Sequence, residues 1–527
     1  MRRSRTQFPA LLLVLGLTLA AASQVEGQGT VDQRIVVAIR DEGFSRSQVM
    51  KMASVMTDVY GPRYANSPSY DAACRWARSK FEEFGLDAAL EAWGEYGFGW
   101  ENTYTSVHLL QPQYQPIIAY PIPGTRGTGG KVRSVVTAID TAQLRSESDL
   151  VDWRGELDGQ IVFTEPKRKL VPNFNPQAVR LSDEELRGMA KLETVRRESV
   201  QIGGRRGGPR RTALSRERLS EFFESEGVAV LVRPGGSNVG PMDKGVVVVT
   251  GSGPLPLDVA PPLPAIVMAA EHYNRVLRLI EQGIAPEVEV EIRNTLHDDD
   301  PLDYNVLAEL PGTDLAEEIV MIGAHFDGEP AGTGATDNAS GSAMVMEAMR
   351  ILTAIGAKPR RTIRAALWGA EESGLLGSRG YVRKHFADPE NGRLPEHDKL
   401  SVYFNVDWYG RFRGIYLQGN DAARPIFEAW MRPFHDVDMS WIVPGNTGGS
   451  DHMAFLEVGL PGFQFIQDDL EFFNVTFHTN MDVYDRLIEE DLKQGAVVLA
   501  SFAYHAAMRD GKFPYADGIG NGRRWHK

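Results

Sequence analysis

The stretch IVMIGAHFDGEPAGTGATDNASG, residues 319–341, decides the fold. Ile319–Ala324 is a short apolar run of the kind that makes a strand buried on both faces. Polar residues follow at once, in Gly323-Ala-His325-Phe-Asp327. Small residues then lead into Asn338–Ile355, where Ala343, Met346, Ala348 and Ile351 recur at helical spacing. Strand, polar loop and helix follow one another within forty residues.

The same alternation continues downstream. Strands are expected at Thr362–Trp368, Val402–Val406, Gly414–Gln418 and Gly462–Ile466, with helices at Gly374–His385 and Asp491–Met508. Strands alternating with helices predict an α/β fold, with a central, mostly parallel mixed sheet flanked by helices. Upstream, Val31–Tyr60 reads as two helical stretches. Another helix is expected over Tyr70–Phe84, stopped by Gly85.

Between these regions the texture changes. From about Gly129 to Glu291 short β-branched runs dominate: Val132–Ile139, Gln160–Phe163, Val228–Val232, Val246–Val249, Ala265–Met268 and Val288–Ile292. They predict a β-rich module inserted into the main domain. The expected division is 31–125 for the N-terminal part of the main domain, 126–295 for the insert, 296–512 for the catalytic part and 513–527 for a tail. Within the insert, Lys167–Arg218 is basic and contains QIGGRRGGPRR at 201–211. Its glycine, proline and arginine predict a solvated, mobile loop with no part in chemistry. The rival reading has its arginines binding a substrate carboxylate, for which the guanidinium fork is suited.

Length and composition set the bounds. The 527 residues exceed one ordinary core, and 43% of them are hydrophobic. A net charge of −14 argues against a general nucleic-acid binder, because phosphate contacts need clustered positive charge. The lone Cys74 excludes an intrachain disulfide; it lies in a helical pattern where burial is its natural role. Arg2, Arg3 and Arg5 precede the apolar run Phe8–Ala22, and small residues follow. That pattern predicts a signal peptide over 1–24, hence a secreted or periplasmic protein without a stable membrane anchor.

Five segments carry candidate site residues. His325 and Asp327 are two apart at a strand end and so face the same way. A carboxylate beside a metal-binding histidine fixes its tautomer. Asp337 sits in a tight turn where it can bridge two metals. Glu371 and Glu372 are adjacent carboxylates that repel unless a cation lies beside them. Asp407 ends another apolar strand, and His478 precedes Asp482. Taken singly, each has a plainer reading: a hydrogen-bonded histidine, a helix cap, a solvated turn. Together they converge, because ligands gather at the carboxyl ends of strands in open α/β sheets. Two histidines with several carboxylates suit a pair of zinc ions, whereas an all-oxygen set would suit calcium or magnesium.

GAHFD, TDNASG, WGAEESGLLGS, NVD, GGSDHMAF and FHTNMDVYDRL together resemble the co-catalytic di-zinc exopeptidases, the family of secreted aminopeptidases and carboxypeptidase Q. YGPRYANSPSYDAACRWARSKFEEFGLD extends the likeness to the N-terminal part. EGVAVLVRPGG and LPAIVMAAEHYNRVLRLIEQG are similar to a protease-associated domain. The resemblance implies the zinc exopeptidase fold and two zinc ions per chain. It implies that His325 and Asp407 hold one zinc, that Glu372 and His478 hold the other, and that Asp337 bridges them. Glu371 would be the general base, and Asp327 would support His325. The peptide substrates would be short peptides or dipeptides, and a homodimer is compatible with the family.

One departure concerns the oxyanion. Some relatives carry a tyrosine shortly before the Ser-Asp-His segment; here Pro444-Gly-Asn-Thr447-Gly-Gly precedes Ser450-Asp451-His452. Asp451 and His452 are therefore candidates for the site, or caps of the helix that follows. Two other functions are weighed: a glutaminyl cyclase-like enzyme with one zinc, and a non-catalytic, receptor-like ectodomain with none.

Overall fold

The computed structural model describes residues 30–191, 213–236, 245–251, 253–388, 390 and 392–515. The expected signal segment 1–24 and the run 201–211 lie outside these residues, as does most of the tail.

The strand Leu315–His325 begins half-exposed and is buried from Ile319 onward. It pairs in parallel with Arg361–Trp368 on one side and Leu400–Asn405 on the other. Covered on both faces, it needs the continuous apolar run that the sequence supplies. The whole sheet has eight strands, in the order Asp87–Glu95, Leu302–Leu310, Arg361–Trp368, Leu315–His325, Leu400–Asn405, Gly462–Gln467, Phe412–Tyr416 and Trp441–Val443. Four pairings are parallel and three antiparallel, which makes a mixed sheet.

Helix Ser340–Ala354 returns the chain across one face. It is buried almost all round, because Gln33–Ser45, Val49–Ser54 and Glu489–Met508 cover its outer side. Two charged side chains in it are paired inside this layer. Arg350 bonds Glu347 at 2.8 Å and Glu42 of the N-terminal helix at 2.6 Å. The opposite face packs Trp368, Tyr381, Tyr403 and Phe455, with Tyr403 and Phe455 stacked at 4.1 Å between centroids. Cys74 is buried in the main core.

A second eight-stranded sheet is built largely from the β-rich region. Its two long strands, Gly99–Gln111 and Glu287–His297, run antiparallel. The second leads directly into Leu302–Leu310 of the first sheet. Helix Ala270–Glu281 closes this layer, with Tyr273 stacked on Phe163 at 4.6 Å.

Three segments differ from the sequence expectations. Val246–Val249 joins no ladder; its one bridge, Val248 to Thr479, reaches across to the first sheet's loops. The edge pair Asp87–Glu95 with Leu302–Leu310 was not foreseen. Part of Lys167–Arg218 is docked rather than solvated. Val179 exchanges backbone hydrogen bonds with Leu470 at 3.0 and 2.8 Å. Arg180 pairs with buried Asp468 and Asp491 at 2.7 and 2.9 Å. Helix Asp183–Lys191 then buries Leu186 against Val443 and Ile466. Among the described residues no helix is long and apolar enough to cross a membrane.

Candidate metal centre

The candidate residues converge where the parallel strands end. His325, the last residue of its strand, donates its Nδ1–H to the Asp327 carbonyl at 3.1 Å. That bond turns Nε2 toward two carboxylates, Asp337 Oδ1 at 3.1 Å and Asp407 Oδ1 at 3.4 Å. His478 Nε2 lies 2.8 Å from Glu372 Oε2 and 3.4 Å from Asp337 Oδ2. Asp337 thus stands between the two imidazoles with one oxygen toward each.

The backbone around these groups is held by buried partners. Asp327 uses its carboxylate on the next segment: it accepts the amide N–H of Glu371 at 3.0 Å and of Glu372 at 3.2 Å. Its Oδ1 lies 3.6 Å from His325 Nδ1, so its tie to the imidazole runs through its own carbonyl. Asp482 does the same for the Asp337 turn, accepting from the N–H of Thr336 at 2.6 Å and of Asp337 at 3.2 Å. Asn338 links that turn to the Asp407 loop by donating to the Val406 carbonyl at 3.0 Å. Gly334 opens the turn in a left-handed conformation, φ +62°, and a Cβ there would lie 3.0 Å from Arg63 Nη2.

Arg63 was not singled out in the sequence. Fully buried, it donates to the carbonyls of Met56, Phe326, Thr333 and Gly334 at 2.8–3.0 Å. All of these acceptors are backbone. Among the described residues, no lysine or arginine forms an ion pair with Asp337, Glu371, Glu372 or Asp407. Buried Asp337 Oδ2, Glu372 Oε1 and Asp407 Oδ1 have no hydrogen-bond partner.

Charge accumulates accordingly. Burial raises the Glu371 carboxyl well above the usual range, and Asp451, Asp407 and Glu372 add to this, against His325. Burial and Asp337 push Glu372 up to about 7. Burial opposes protonation of both histidines, but the carboxylates around them outweigh it and raise both. Carboxylates packed this closely require compensating positive charge. Imidazole and carboxylate donors, with free oxygens aimed inward, fit a divalent metal. Two trios have ligand atoms within 4.8 Å of one another: His325, Asp337 and Glu372, and Glu329, Glu372 and His478.

Glu329 is a second residue that sequence reading missed. It is 5% exposed, and both its oxygens face the Gly251 N–H, at 3.0 and 2.9 Å. Its only sequence signal was its place in the His325–Asp337 loop. Asp451 and His452 are fully buried at the start of helix His452–Glu457. The Asp451 side chain makes no cap bond. Burial raises it to about 7, and it lies close enough to His325 and Asp407 to feel their charges. His452 donates Nε2–H to the Thr447 carbonyl at 3.1 Å, and burial lowers its pKa to about 4.

The model of peptidase family M28 matches residues 305–503. Carboxypeptidase Q of Bos taurus is 25% identical over 254 residues, 48% of this chain and 52% of that protein. The chain thus spans about half the length of the curated relatives it matches. The solved structure of a peptidase M28 precursor from Shewanella amazonensis superposes with a TM-score of 0.63 at 24% identity, over 92% of this chain and 98% of that one. BSAP, a zinc aminopeptidase from Bacillus subtilis, gives 0.54 at 18% identity over 89% and 97%. At these identities the two structures establish a common fold. Residues 305–503, which carry the converging His, Asp and Glu residues, are thus similar to peptidase family M28.

Proposed function

We propose that the chain is a zinc-dependent exopeptidase that hydrolyses terminal peptide bonds of short peptides or dipeptides. The observation that carries this reading is Asp337, whose two oxygens face His325 and His478 separately. His325 and Asp407 would hold one zinc ion and Glu372 and His478 the other, with Asp337 shared between them. Zinc bound there would supply Lewis-acid chemistry toward the scissile carbonyl and the attacking water.

The protein's own groups handle the proton. Glu371 pairs with neither histidine, and burial gives it a high proton affinity. It takes the proton from water and delivers it to the leaving amine. Asp327 holds the Glu371 and Glu372 amides, fixing one carboxylate for the proton and the other for the metal. In line with this reading, the β-rich insert is taken as a protease-associated domain, and residues 1–24 as a signal for export to the periplasm or medium.

The test is metal content together with turnover of free and end-blocked dipeptides. Two zinc ions per chain, with activity lost on chelation and restored by zinc, is the expected result. One ion per chain with cyclising activity, or none with no turnover, would overturn it. Blocking one peptide end at a time identifies the terminus that is recognised.

A further inference from the structure

The β-rich insert reaches the metal centre through one short segment. Val247 and Asn480 are joined twice: the Val247 N–H donates to Asn480 Oδ1 at 2.7 Å, and the Asn480 N–H to the Val247 carbonyl at 3.2 Å. Val249 N–H donates to the carbonyl of His478 itself at 3.0 Å. Two residues on, the Gly251 N–H meets both oxygens of Glu329. A side chain at 251 would lie 2.6 Å from the Tyr64 hydroxyl, so glycine lets the segment come this close.

Glu329 has little else to balance its charge. It is 5% exposed, and among the described residues no lysine or arginine forms an ion pair with it. One amide N–H shared between two oxygens does not offset the burial of a carboxylate. Its ligand oxygen lies within 4.8 Å of the donor atoms of Glu372 and His478. Tetrahedral bonds of about 2.0–2.2 Å place two ligands of one zinc ~3.3–3.6 Å apart. A closure of at most about 1.5 Å therefore brings the trio onto a single ion.

We propose that Glu329 is a further protein ligand of the metal position formed by Glu372 and His478, and that the insert aims it through the Gly251 amide. This rests on the two-zinc reading above. It makes that position a joint product of both sheets, whereas the His325–Asp407 position belongs to the catalytic sheet alone. Loss of Glu329, or displacement of Gly251, weakens one metal position selectively.

The experiment is zinc titration of the metal-free full chain against a chromophoric chelator, for wild type, Glu329→Gln and Gly251→Ala. Thermal unfolding of each metal-free protein checks folding. Glu329→Gln keeps shape and removes charge; Gly251→Ala keeps the carboxylate and shifts its anchor. The expected result is two positions in wild type, with one weakened tenfold or more in both variants and the other within twofold. Both positions within twofold of wild type in Glu329→Gln would overturn the inference and leave the two-zinc reading intact. Equal weakening of both positions would also overturn it. Wild type binding fewer than two ions would instead overturn the two-zinc reading on which it rests.

Discussion

The Asp327 carboxylate accepts the amide N–H of Glu371 at 3.0 Å, while the Asp327 carbonyl accepts the Nδ1–H of His325 at 3.1 Å. One residue thereby fixes the tautomer of a proposed metal-ligating imidazole and the position of the proposed base, which come from different strands. Asp327→Ala removes the carboxylate that holds the Glu371 and Glu372 amides and keeps the carbonyl that meets His325, without removing a proposed ligand or the base. Supporting residues of this kind change metal affinity by about 10- to 100-fold. The variant is expected to bind zinc that much more weakly and to turn over more slowly when saturated. Chelator competition and kcat at saturating zinc measure the two effects; values within twofold of wild type would count against the clamp.

Glu371 and Glu372 are neighbours with different proposed tasks. Glu372 lies 2.8 Å from His478, whereas Glu371 pairs with neither histidine. Glu371→Gln keeps size and loses proton transfer. It should lower kcat by at least ~10²–10⁴-fold with two zinc ions still bound. Near-normal turnover would remove it as the base; loss of metal would make it a ligand.

Asp337→Ala removes the only carboxylate among the described residues that pairs with both imidazoles. Without it, two dications would stand close together with less negative charge between them. The expected result is loss of both ions, read as zinc per chain after gel filtration. Two ions retained would exclude bridging.

Much of this was legible in sequence because it is local. Strand ends and helix starts are marked by apolar runs breaking into His325, Asp337, Glu371 and Asp407, and period-two spacing orients His325 and Asp327 together. What escaped was non-local. Arg63 bonds carbonyls more than 260 residues away, at Phe326, Thr333 and Gly334, and nothing in its neighbourhood marks it. Glu329 gains meaning only when Gly251 arrives from the β-rich region. Asp87–Glu95 is rich in alanine and glutamate, poor strand formers, and becomes a strand by pairing with Leu302–Leu310. Val246–Val249 has strand composition, yet its partner is the loop at Thr479 and no ladder forms.

The docking of 178–189 can be tested on Leu186. This side chain is fully buried against Val443 and Ile466. Leu186→Ala should cost about 2 kcal/mol, the low end for a buried leucine, because the cluster is small. Since 1.4 kcal/mol is tenfold, the undocked population rises ~30-fold. Trypsin cleavage at Arg187 or Lys191 should accelerate in proportion when opening is fast. Equal cleavage rates in wild type and variant would mean that the segment is not held through Leu186.

The N-terminal helix offers a test of pH dependence away from the metal centre. His505, in the last turn of helix Glu489–Met508, is 4% exposed. Its Nδ1–H donates to the Ser501 carbonyl at 2.7 Å, and its Nε2 accepts the Asp32 N–H at 3.1 Å, just before helix Gln33–Ser45. The ring must be neutral to do both. Burial lowers its pKa below 6.5, opposed by the Ser501 carbonyl and Asp32. In the unfolded chain the imidazole titrates near ~6.5. Below that pH the unfolded state binds a proton that the native state resists, so stability falls with pH. Above it this group contributes its full stabilisation, and the dependence vanishes. Protonation would set an N–H against the Asp32 N–H and loosen the first helix from the last. His505→Gln keeps an acceptor for Asp32 and does not titrate. Thermal unfolding of metal-free wild type and variant between pH 7.5 and 5.5 should show the wild type losing more stability on acidification. Parallel losses would mean that His505 carries none of the dependence.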